Sequence, residues 1–312
     1  KEIGHFKPEF SPQTELVAGE IGYIATGIKD LGKVRVGETI TIPKLKMQNL
    51  ESKIEPLLGY SEPKPVVFAS IYPANPDDFD LFKESLGKLK LNDASFVFEP
   101  ERKEALGRGF RCGFLGTLHV EIITERLKRE FGLNLVISTP SVVFKVITPL
   151  GQEVFIYSSS DWPEHSLIKE IQEQWVRLEV VAPVNYLGKV MEILGKLEGK
   201  YLETKYVSQE RLIVVYESPL REIITGFYDQ LKSISQGYAS MNYEIIGFRP
   251  GDLVKLEILV AGRKEEAFSK IVSSQKARQE GKMIVEKLKE ILPAEQFSVA
   301  LQAAVGGKII AR

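Results

Sequence analysis

Val66-Val-Phe-Ala-Ser-Ile-Tyr72 is an unbroken apolar run. Asp77 and Asp78 follow with capping oxygens, and Phe79, Phe82, Leu86 and Leu89 then fall on one stripe of a helix. Working outward, Ser95–Glu99 and Gly107–Phe114 predict two more strands, about Thr117–Phe131 a second helix, and Leu133–Ser138 a fourth strand. The order is βαββαβ. After a connecting stretch, Val142–Trp175, the same order returns. Val176–Val181 alternates like a half-buried strand, and Asn185 caps a helix carrying Leu187, Val190, Met191, Leu194 and Leu197. Tyr201–Val207 and Arg211–Tyr216 are strands, Glu222–Ile234 a helix, and Met241–Phe248 the closing strand. In each copy two helices are expected on one face of a four-stranded antiparallel sheet, the split βαβ or ferredoxin-like arrangement.

The flanks are different. Leu16–Pro43 carries only β signals, with Gly19–Gly27 and Val34–Ile42 as short, glycine-broken strands. Two or three strands cannot bury a face alone, so they read as part of a small barrel begun upstream. Beyond Leu253 come a strand (Val254–Val260), a short helix (Glu265–Val272), and a longer helix carrying Ile284, Val285, Leu288 and Ile291 inward. Gly281 is expected to kink that helix and Pro293 to stop it, with a strand at Phe297–Leu301. The expected fold is multi-domain α+β: a partial β-barrel (1–47), a linker (48–64), two αβ sandwiches (65–147 and 176–251) around a connector (148–175), and an incomplete α+β C-terminal domain (252–312). The start at Lys1-Glu2-Ile3-Gly4-His5 has no initiator methionine or signal pattern, and the chain reads as a piece of a longer protein.

At 312 residues, two or three domains are the length-based expectation. The composition is globular, 44% hydrophobic and 27% charged, which argues against disorder. Lys and Arg total 41 against 42 Asp and Glu, so an anionic partner must be met by a local patch. From Leu253 to Arg312 there are 11 basic and 7 acidic residues, which makes that stretch the more positive one. A single cysteine, Cys112, excludes an internal disulfide and a cysteine zinc site, and it fits a reducing cytoplasm. No apolar run approaches the roughly 18 residues of a spanning helix, so no membrane insertion is expected.

Candidate chemistry is sparse. His119-Val120-Glu121 matches the core of a zinc deaminase signature, but the paired cysteines that chemistry needs are missing. Gly107-Arg-Gly-Phe-Arg-Cys-Gly-Phe-Leu-Gly116 is glycine-dense, yet it fails dinucleotide spacing, and no P-loop pattern occurs in the sequence. Arg108-Gly109-Phe110 sits where an RNA-recognition motif carries stacking aromatics, with Arg111 and Cys112 as mismatches. The competing reading puts Phe110 and Phe114 in the core and lets the glycines permit close packing. Candidate phosphate contacts are Arg108, Arg111, His119, Lys276, Arg278, Lys282, Lys308 and Arg312. Lys276–Lys289 otherwise reads as a solvated helix face. No catalytic, cofactor or metal residue is assigned.

Further motifs resemble a known family. Gly19-Glu-Ile-Gly-Tyr and Val36-Gly-Glu-Thr-Ile40 resemble the β-barrel domain of translational GTPases. Gly113-Phe-Leu-Gly-Thr-Leu-His-Val-Glu-Ile122 is similar to the third domain of elongation factor G and its relatives, and Tyr186-Leu-Gly-Lys-Val-Met191 to the first helix of their fifth domain. The short connector leaves no room for the domain that elongation factor G inserts there. With Leu91-Asn-Asp-Ala-Ser95 and Gln302–Arg312, the whole chain resembles the elongation factor 4 (LepA) family, in the region after the GTP-binding domain. The resemblance implies a ribosome-dependent GTPase acting in translation, in back-translocation or in ribosome biogenesis and initiation. It implies rRNA, ribosomal proteins and tRNA as partners, with GTP and magnesium held by a domain outside this stretch. It also implies a monomer in the cytoplasm, associated with ribosomes and peripherally with the inner membrane, and a chain that is inactive alone. Two alternatives stay open: a single-stranded RNA binder, and a regulatory protein sensing a small molecule between paired βαββαβ domains.

Overall fold

The apolar run that opens the first αβ module becomes its central strand. A computed structural model describes residues 1–28, 39–40, 59, 63–93, 95–103, 106–224, 226–293 and 299–312. Contacts divide the chain into two compact units, Lys1–Pro63 with Lys90–Ala94, and Lys64–Leu89 with Ser95–Arg312.

In the first unit, β1 (Glu2–Lys7) and β2 (Glu9–Gln13) form a hairpin, and β3 (Tyr23–Ala25) pairs with the other edge of β1. The hairpin has no counterpart among the expected strands, and β3 is shorter than the Gly19–Gly27 strand expected there. No closed barrel forms among the described residues. The Val34–Ile42 strand and the 48–64 linker fall almost wholly outside the described residues.

The second unit opens with β4 (Val67–Pro73), α1 (Phe79–Asn92), β5 (Val97–Lys103), β6 (Gly107–Phe114), α2 (Thr117–Phe131) and β7 (Leu135–Ile137). The sheet order β5-β6-β4-β7 is the split βαβ order. Alternation sends Val67, Ala69 and Ile71 to one face, in register with Phe114, Cys112 and Phe110. Phe82 and Leu86 of α1, with Val120, Ile123 and Leu127 of α2, close that core.

The connecting stretch is not a bare linker. Its hairpin β8 (Phe144–Ile147) and β9 (Glu153–Ile156) joins the next sheet, with β8 pairing to Glu170–Glu173 of β10 (Glu170–Pro183). The repeat then runs through α3 (Leu187–Leu194), β11 (Lys200–Tyr206), β12 (Arg211–Pro219), α4 (Leu220–Ile224), α5 (Phe227–Ile234) and β13 (Ser240–Pro250). β12 and β13 flank β10, and β11 lies outside β12, the same order as in the first copy. The single helix expected over Glu222–Ile234 is two helices, because Gly226 takes a left-handed φ of 78° between them.

The C-terminal module pairs β14 (Leu253–Val260) with β15 (Arg263–Lys264) and β16 (Lys270–Ser273) on one edge. α6 (Ala277–Ile291) follows, and then the hairpin β17 (Leu301–Val305) and β18 (Lys308–Ala311), with β17 on the other edge of β14. The short helix expected over Glu265–Val272 is corrected: only Glu266–Phe268 turn helically, while Ile271 and Val272 are β-branched and pair with β14. Ile291, expected inward, is 66% exposed in the last turn of α6. The strand expected at Phe297–Leu301 begins at Leu301, and its first residues lie outside the described set.

Candidate nucleic-acid interface

The glycine-dense strand β6 is built for packing. A Cβ at Gly109 would overlap the Tyr72 ring and the Ile71 carbonyl, and one at Gly113 would lie 2.7 Å from Val97 and 2.8 Å from Pro65. Phe110 and Phe114 are 1% and 0% exposed. The stacking platform that motivates a single-stranded RNA binder is therefore interior, as the competing reading of this stretch held. Cys112 lies in the same layer, and burial pushes its thiol pKa far up, which leaves no thiolate for nucleophilic chemistry.

The opposite face of this sheet is covered as well. Tyr157, from the connecting stretch, stands edge-on to Phe68 at 4.9 Å and lies under the Arg111 guanidinium at 4.5 Å. Arg111 also donates to Glu99 at 2.8 Å, and Asp161 accepts from Lys103 at 2.7 Å. Arg111 is thus committed within the fold. Arg108 lies at the exposed start of β6, with its guanidinium 3.8 Å from the Phe79 ring centroid. His119 sits in the first turn of α2, where Nδ1 accepts the Leu115 N–H at 3.1 Å and the ring meets Phe114 edge-on.

The other five candidates lie in the C-terminal module. Arg278 near the start of α6 and Lys308 on β18 are exposed and line one groove of about 430 Å³, floored by Val254, Ala277 and Ile310. Sequence spacing gave no sign of this pairing, which α6 packing over β17 and β18 creates. Lys282, one turn on, is exposed and faces Glu286 at 3.6 Å; Arg312 is exposed at the chain's last residue. Lys276 points elsewhere: its Nζ meets Glu222 at 2.7 Å and the Lys196 carbonyl at 3.4 Å.

That contact belongs to a cluster no motif announced. Arg221, 10% exposed, donates to Glu173 at 2.7 Å and to Glu222 at 2.5 Å, and it also holds Glu198. Burial raises the Glu173 pKa, because one guanidinium shared among three carboxylates does not offset the lost solvation. Arg221 stays charged, since the three carboxylates outweigh its own burial. The cluster borders a half-open cleft of about 620 Å³ between α3–α5 and the C-terminal module, walled by Phe144, Leu197, Phe227 and Met283. Its described cations are already paired, Arg221 and Lys276 with Glu222, Lys270 with Glu280 and Lys196 with Glu192, so polar groups do not converge there on a vacant charge.

Known proteins are similar along the whole chain. The family model described as "Elongation Factor G, domain III" matches residues 62–139. "Elongation factor G C-terminus" matches 170–259, and "GTP-binding protein LepA C-terminus" matches 260–312. "Elongation factor 4" of Thermosynechococcus vestitus is 46% identical over 310 residues, covering 99% of this chain and 50% of the relative. The proteins of the same description from Symbiobacterium thermophilum and Thermus thermophilus are 44% and 46% identical, each over 100% of this chain and about half of their own length. The chain thus spans about half the length of the curated relatives it matches. A solved structure from Thermus thermophilus, "Crystal structure of ttk003000868", superposes with a TM-score of 0.41 at 19% identity over 61% of this chain and 41% of that one, too loosely to argue from.

Proposed function

This chain belongs to the elongation factor 4 (LepA) family of translational GTPases, and from that premise we propose that it is the part that docks such a GTPase on the ribosome. The carrying observation is the segregation of cations. Arg111 and Lys276 are spent inside the fold and Arg108, though exposed, lies over the Phe79 ring, whereas Arg278, Lys282 and Lys308 stand exposed together on one module. Phosphate contacts of this kind position a protein on RNA without reading sequence, and they release counterions. rRNA, ribosomal proteins and tRNA are the partners, met at the cytoplasmic ribosome. Among the described residues no helix is long and apolar enough to cross a membrane.

GTP and magnesium belong, in this reading, to the half of the family's length that this chain does not span. The chain contributes positioning, in back-translocation or in ribosome biogenesis and initiation. The test is co-sedimentation with ribosomes across a salt series, with GTP turnover measured in parallel. Binding that weakens as salt rises, with turnover at background, is expected. Salt-independent binding would remove the electrostatic account, and turnover above background would require a nucleotide site in this stretch.

A further inference from the structure

Strand β16 is a wall of two cores. Ile271 packs into the core of the second αβ module together with Leu253, while its neighbour Val272 packs with Leu256 and Ile258 in the C-terminal core. Successive side chains of a strand face opposite ways, so four residues suffice for this weld. Val66 and Ile224 in turn pack against both the first and the second αβ cores.

Polar contacts follow the same seams. The N–H and the hydroxyl of Thr139 both donate to the Ala267 carbonyl, each at 3.0 Å. Ser159 donates to the carbonyl of Ser269 at 2.9 Å, and both residues are buried. Lys276 reaches Glu222, which Arg221 fixes from its other side.

Domains within one chain move relative to each other by default unless their interface is extensive and apolar. Here, swinging the C-terminal module away would hydrate Ile271 and Leu253. It would also strip Glu222, 9% exposed, of its ammonium partner. We infer that the two αβ modules and the C-terminal module form one arm without an internal hinge, with residues 265–276 as its strap and Lys276 as a strut. Arg278, Lys282 and Lys308 are thereby held at fixed positions relative to the first αβ module. This follows whether or not the arm meets a ribosome.

Spin labels on Lys83→Cys in α1 and Lys287→Cys in α6 test it in the whole chain, since both sites are exposed. Cys112 is fully buried and does not compete for label. A single narrow distance distribution is expected. Lys276→Ala should lose the single narrow peak while circular dichroism stays unchanged, and Lys276→Arg should restore it. A broad or two-peaked distribution in the parent would overturn the hinge-free arm. An unchanged narrow peak in Lys276→Ala would overturn the strut.

Discussion

The Phe110 ring lies flat against that of Phe79, with centroids 5.3 Å apart and planes 7° from parallel. Phe82 and Phe98 meet Phe110 edge-on at 5.4 and 5.6 Å. The residue that looked most like a base-stacking platform is the centre of an aromatic core. Arg108, over the outer side of Phe79, extends the stack toward solvent.

Phe110→Ala should therefore act on stability. Truncating a buried phenylalanine costs about 3–5 kcal/mol, the lost transfer energy plus the cavity. Urea unfolding should show that loss, with Phe110→Leu falling well short of it. A variant of near-parental stability that loses only RNA binding would restore the stacking-platform reading.

Arg221 is the second sensitive point. Arg221→Met leaves Glu173, 3% exposed, without a counter-charge, and breaking a buried pair from one side costs about 3–5 kcal/mol. Glu173→Gln should behave differently and depend on pH. A carboxylate whose pKa is raised by folding adds stability below its unfolded value, about 4.3, and loses that contribution as pH rises through the folded-state pKa. The variant lacks this loss, so it should gain on the parent as pH climbs through and above the ordinary glutamate range. Denaturation midpoints measured from acid to neutral pH check the sign; a parallel pair of curves would contradict it.

The tandem βαββαβ order was legible because each copy carries local signals that decide secondary structure: an apolar run in β4 and alternation in β10, with helical stripes in α1 and α3. What stayed hidden depends on neighbours distant in sequence. Ile271 and Val272 form a strand because β14 is there to pair with them, and within Glu265–Val272 their β-branching is only a two-residue hint of it. The β8–β9 hairpin is likewise defined by its pairing to Glu170–Glu173. For the candidate interface, residue type was readable and commitment was not. Lys276 and Arg278 are two residues apart on one basic stretch, yet one is locked to Glu222 and the other is exposed.

Gly281 separates two physical readings of one residue. A helix-interior glycine normally costs about 1 kcal/mol relative to alanine, so Gly281→Ala would stabilise a merely kinked helix. A Cβ there, however, would lie 2.8 Å from that of Ala303 on β17, where the helix presses on the sheet. Overpacking typically costs about 1–3 kcal/mol and should win. Gly281→Ala is expected to lower the melting temperature, and adding Ala303→Gly should recover part of it. A stabilised single variant would return the residue to its role as a kink.

The exposed cations of the C-terminal module carry the most direct functional prediction. Arg278 and Lys308 face one groove, and neither has an acidic partner among the described residues, so their charge is available to a phosphate backbone. Neutralising one phosphate-contacting cation reduces the slope of log affinity against log salt by about 1. The double variant Arg278→Ala/Lys308→Ala should therefore flatten the salt dependence of ribosome binding by about 2. Both residues are exposed, so the fold should survive, and an unchanged melting temperature would show that it has. Weaker binding with an unaltered salt slope would mean that this groove meets its partner through shape and apolar contact, and the electrostatic part of the docking would then have to lie on another module.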